Sequence, residues 1–71
     1  MSRITLSSRE IAAVDYDPEA LRLEVELRKG GVYEIDGVPE TIYQTLITSE
    51  SPGTYYHLHI RKGDYKMTRL R

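Results

Sequence analysis

The sequence predicts an α+β domain: a three-stranded antiparallel meander covered by a helix, then a short second helix and a C-terminal strand. Three observations carry this reading. LRLEVELR, residues 21–28, alternates Leu21, Leu23, Val25 and Leu27 with Arg22, Glu24, Glu26 and Arg28, the period of two that a strand with one dry face and one wet face satisfies. Turn signals stand on both sides of it, DPEA before and KGG after. VPETIYQTLITS then sets Ile42, Tyr43, Leu46 and Ile47 at helical spacing, an apolar stripe able to cover the oily side of a small sheet.

Taken in order, residues 1–6 read as an N-terminal extension, with an extra strand available through Ile4 and Leu6, and residues 7–71 as a single domain. IAAVDY offers Ala12, Val14 and Tyr16 to one side, while Ile11 is out of phase and predicts a bulge or bend. Pairing Tyr16 with Leu21 and Val14 with Leu23 keeps apolar neighbours on one face and leaves a four-residue loop, Asp17 to Ala20. A three-residue loop, Lys29 to Gly31, then pairs Leu27 with Tyr33 and Val25 with Ile35, with glycine at its left-handed position.

Pro39 suits the first helical position, Glu40 complements the positive helix end, and Pro52 stops the helix because it disfavours helical angles at Ser51. Residues 52–60 fit two descriptions. Ser51-Pro52 as a start and Gly63 as a stop bracket TYYHLHIRK as a helix, with Tyr56 and Ile60 toward the core and His57 beside Arg61 outside. Alternation also fits a strand, with Tyr56, Leu58 and Ile60 on one side and Tyr55, His57, His59 and Arg61 on the other. The helix is the favoured form. DYKMTRL reads as a last short strand, with no partner indicated.

At 71 residues the chain is near the lower limit for folding alone, where only about 60% of the unfolded surface is buried. It has no cysteine, so neither a disulfide nor a thiolate zinc cluster is available and packing or self-association must stabilise it. No signal-like or membrane-spanning apolar run is visible, and a reducing cytoplasm is the expected setting. Net charge is −1, yet it is unevenly placed. Residues 1–50 carry five Lys/Arg and ten Asp/Glu, whereas residues 51–71 carry five Lys/Arg and one aspartate.

A set of marks in fixed order runs through the chain: Ser7-Ser8, Ile11, Val14, Tyr16-Asp17-Pro18, the Leu21/Val25 strand, Gly31, Tyr33, Val38-Pro39, Tyr43, Leu46, Ser51, Gly53, Tyr55-Tyr56 and Ile60. In these the chain resembles the KTSC domain, a short module named for the C-terminus of certain lysyl-tRNA synthetases, over roughly residues 7 to 65. It departs from that pattern at Ile35, where the family has a second tyrosine, and at His57, where it has asparagine. The resemblance implies an accessory domain, alone or appended to a synthetase, with a suggestion of RNA binding and no enzyme activity.

Four chemistries can be weighed on the residues. His57 and His59 on a strand would stand on one face about 7 Å apart, but a metal would need a third ligand and a helix would point them apart, so they read as surface histidines. No Ser-His-acid set is apparent; the serines fall at turns and helix ends as caps, so no catalytic residue, metal or cofactor is assigned. Gly30-Gly31 lacks the lysine of a phosphate loop. RNA binding draws on Tyr55, His57, Arg61, Lys62, Tyr65, Lys66, Arg69 and Arg71, cations for phosphates and rings for unpaired bases, with single-stranded RNA or tRNA as partner. The competing expectation is a protein-interaction or homodimerisation module using a sheet edge or the wet face of Glu24, Glu26 and Glu34.

Overall fold

The computed structural model describes residues 3–71. Its element order is β1 (Arg3–Thr5), β2 (Ile11–Asp17), β3 (Arg22–Leu27), β4 (Val32–Asp36), α1 (Glu40–Thr48), α2 (Pro52–Tyr55), a π-helical segment (Tyr56–Arg61) and β5 (Lys66–Arg69). The strands form one antiparallel sheet in the order β1-β2-β3-β4-β5. The α+β class is as expected, but the meander has five strands, not three. Arg3–Thr5 pairs with β2 at one edge, and the C-terminal strand pairs with β4 at the other.

Both inner hairpins differ from the expected register by two residues. Tyr16 faces Leu23 and Val14 faces Val25, so the first loop is Pro18 to Leu21. Local chemistry moves it: the Asp17 carboxylate accepts the N–H groups of Glu19 and Ala20 at 3.0 and 3.3 Å, an Asx turn that starts one residue later than expected. Leu21 leaves the strand with φ 53° and gives its carbonyl to the Val38 N–H. In the second hairpin Val25 faces Tyr33 and Leu23 faces Ile35. Gly30 and Gly31 both have positive φ, 103° and 94°, and two such residues support a longer turn than one. A slip of two preserves the face, so Val14, Tyr16, Leu23, Val25 and Ile35 are core residues as the alternation called for, whereas Leu21, drawn into the turn, is exposed and the bulge puts Ile11 rather than Ala12 into the core. The bulge at Ile11 is present, between Ile11 and Ala13.

The dry side of the sheet presents Ile11, Val14, Tyr16, Leu23, Val25 and Ile35, and α1 lowers Tyr43 and Leu46 onto it, with Ile42 and Ile47 partly buried beside them. Tyr16 stacks on Tyr43 with centroids 4.6 Å apart and donates its hydroxyl to the Val38 carbonyl at 2.5 Å. Pro39 sits just outside α1 in extended conformation, not as its first helical residue, and its carbonyl accepts the Ile42 and Tyr43 N–H groups.

Residues 52–61 are helical, as favoured, with Pro52 opening α2. The helix widens to i→i+5 hydrogen bonding over Tyr56–Arg61. Tyr56 and Ile60 are buried in the core, while His57 and Arg61 line a groove outside it. Among the described residues no helix is long and apolar enough to cross a membrane.

Candidate functional site

The strand directions decide which charges meet. At one end of the sheet lie the β1–β2 connection (residues 6–10), the β3–β4 hairpin (residues 28–31) and the C-terminal residues. Arg28 fastens two of these segments: its Nε donates to the Ser8 carbonyl at 2.5 Å, its Nη2 to the Leu6 carbonyl at 2.9 Å, and its N–H to the Glu10 carbonyl at 2.8 Å. The Arg71 carbonyl accepts the Val32 N–H at 3.1 Å and the Arg69 Nε–H at 3.1 Å. The Arg69 guanidinium lies 5.9 Å from the centre of the Tyr33 ring, a cation held over an aromatic face.

The π-helical segment crosses the same end. With the β1–β2 connection and the hairpin it bounds a groove lined by Glu10, Leu27, Lys29, Tyr56, His57 and Arg61. His57 Nε2 lies 2.5 Å from Glu10 Oε2, with both side chains partly exposed. Ser8 Oγ sets this contact up by accepting the Glu10 and Ile11 N–H groups, each at 3.2 Å. Burial pushes the Tyr56 phenol above its ordinary value, while the Arg61 charge pulls it the other way.

Of the eight residues expected to contact RNA, the structure brings some together and separates others. Arg61 and His57 share the groove with Lys29. Arg69 and Arg71 flank Gly31 of the hairpin, with the Arg69 guanidinium and the Arg71 carbonyl both 3.7 Å from where a Cβ there would stand. Lys62 is exposed in the turn after the helix. Lys66 lies at the opposite end, facing Asp36 across β4 and β5. Tyr55 is half-buried with His59 against its ring, centroids 4.6 Å apart, and Tyr65 packs partly buried on the core. These two rings are therefore less available for stacking than their spacing suggested. Lys29 is the residue the sequence reading left out. Only the pairing of β5 with β4 tells that the KGG turn joins the C-terminal cations.

The wet face of the sheet has the reverse charge. Its rows carry Asp15, Asp17, Glu24, Glu26, Glu34 and Asp36 against Arg3, Arg22 and Lys66. Arg22 Nε donates to Asp36 at 3.0 Å and stands 3.6 Å from Glu34, and Arg3 pairs with Glu26. The Asp36 hydrogen bond, with Glu34 nearby, raises the Arg22 guanidinium further above its already high value. Among the described residues no three His, Asp or Glu side chains gather in a way that could hold a metal ion, and His57 and His59 serve different neighbours, Glu10 and Tyr55.

Comparison with known proteins agrees with this architecture. The family model described as the KTSC domain matches residues 7–65. A relative from Stutzerimonas stutzeri (strain A1501), described as an uncharacterized protein, is 31% identical over 70 residues, covering 99% of each chain. The crystal structure of a KTSC domain protein from Yersinia pestis superposes with a TM-score of 0.91 at 31% identity, covering 99% of this chain and 97% of that one. None of these descriptions names an activity or a ligand. With the family model spanning most of its length and a solved member sharing its fold, the chain belongs to the KTSC domain family.

Proposed function

We propose that this domain is an accessory module that binds single-stranded RNA through the hairpin end. The observation that supports the reading is the convergence of cations from separate parts of the chain: Lys29 from the hairpin, Arg61 from the π-helical segment, and Arg69 from β5, whose guanidinium lies 3.7 Å from where a Gly31 Cβ would stand. Phosphates would be drawn to this end and repelled by the acidic wet face, which fixes the direction of approach. An exposed basic groove beside partly exposed rings suits a flexible strand better than a rigid duplex. Self-association through the β5 edge is the weaker reading, because Lys66 and Arg69 there would repel their copies across a paired edge.

Fluorescence anisotropy with a labelled single-stranded oligouridylate and with tRNA, at two salt concentrations, tests the proposal. Micromolar binding is expected, weakening with salt at a log–log slope of about −0.7 for each phosphate contacted. The double substitution Lys29→Ala/Arg61→Ala should weaken it about tenfold or more, and Lys66→Ala should leave it within about twofold. No binding at low salt, or equal losses from the two variants, would refute it.

A further inference from the structure

We infer that the groove between Lys29 and Arg61 seats one phosphate group, and that Glu10 is its resident counter-anion, occupying His57 and weakening whatever anion binds there. The inference rests on the nucleic-acid reading for the source of the phosphate, not for the seat itself. The groove has a volume of about 140 Å³, room enough for a phosphate group. Leu27 and Tyr56 give it apolar walls, and Lys29 and Arg61 stand exposed at its rim.

Glu10 is held in place from several sides. Ser8 Oγ accepts its N–H at 3.2 Å, its carbonyl accepts the Arg28 N–H at 2.8 Å, and its carboxylate lies 2.5 Å from His57 Nε2. Gly53 makes room for the side chain, since a Cβ there would come within 3.2 Å of both Cβ and Cδ of Glu10. Two permanent cations, Lys29 and Arg61, therefore share the groove with one fixed carboxylate. The imidazole nitrogen that could serve a phosphate already lies against that carboxylate, 2.5 Å from its Oε2. An entering phosphate must either compete with Glu10 for His57 or bind beside it against its charge, and both routes lower affinity.

Glu10→Gln tests this, because it removes the charge while keeping the size and shape of the side chain. With a fluorescein-labelled decauridylate at low salt, the variant should bind about three- to tenfold tighter, the gain of removing one nearby like charge. That gain should shrink as salt is added. Glu24→Gln on the wet face changes net charge equally and should alter affinity by less than about twofold. Equal effects of the two variants would overturn the inference, since only net charge would then be acting. Titration with inorganic phosphate, followed by amide NMR, separates the seat from the RNA reading. Shifts at Lys29, His57 and Arg61 that are larger in Glu10→Gln support the inference, and if decauridylate is not bound they do so while the RNA reading falls. If phosphate leaves these resonances unmoved in both proteins, the inference is wrong whatever RNA does.

Discussion

Replacing Tyr16 by phenylalanine removes one oxygen and leaves everything else in place, which makes its effect readable. Tyr16 is 6% exposed and Val38, whose carbonyl accepts its hydroxyl at 2.5 Å, is fully buried. The ring stays stacked on Tyr43, so no apolar contact is lost. What remains is a buried carbonyl without its partner, worth about 2 kcal/mol. For a domain of this size that lowers Tm by roughly 8–16 °C. Urea unfolding should show the midpoint falling with an unchanged slope, because the surface exposed on unfolding is the same. Alkaline pH gives a second reading of the same group. Burial, with Glu40 and Asp17 adding to it, raises the Tyr16 phenol above its ordinary 10.0. The unfolded chain therefore ionises first as pH rises. Stability from this group is complete below pH 10.0 and is lost as pH climbs through the higher folded value. Tyr43 and Tyr56 are raised as well, chiefly by burial, so the parent loses stability in the same range. The variant has one fewer phenol to ionise and should lose it less steeply, narrowing the gap between the two. A loss below about 0.5 kcal/mol at neutral pH, or a gap that widens in alkali, would refute the reasoning.

Two further substitutions probe the turn and the tie that shape the sheet. Leu21 holds φ at 53°, a region that asparagine tolerates better than leucine, so Leu21→Asn should raise stability by up to about 1 kcal/mol in urea unfolding. Arg28→Ala removes the side-chain hydrogen bonds to Leu6 and Ser8. It should cost about 1–2 kcal/mol and speed hydrogen exchange at Glu10 and Ile11, whose N–H groups depend on that connection.

The faces of the strands were legible and their registers were not, for one reason. Alternation in LRLEVELR assigns Leu23 and Val25 to the core whichever residue opposes them, and a slip of two changes the partner without changing the face. The deciding facts are local: the reach of the Asp17 carboxylate, the left-handed Leu21 and the paired glycines. Helix α1 was legible because Ile42, Tyr43, Leu46 and Ile47 repeat at its period, although it ends at Thr48 with Ser49 already extended, ahead of Pro52, which opens α2 instead. The π widening over Tyr56–Arg61 carries no such signature. The site was half legible. Its C-terminal cations form a visible run, but Lys29 joins them only through strand pairing across the helical segment, and Tyr55 and Tyr65 were given a surface role that their neighbours His59 and the core partly take up.

The helical layer, residues 37–65, is strung between two strands that lie side by side, β4 and β5. The two central hairpins each close over four residues. Joining β5 to β4 closes a span several times longer, an extra entropic cost of about 2 kcal/mol. β5 also brings little to offset it, since among its residues only Met67 is even partly buried. Topology thus makes this strand the late arrival during folding and the first to peel away afterwards. Arg69 would leave with it while Lys29 and Arg61 stay in place, so the cationic end has a permanent half and a detachable one.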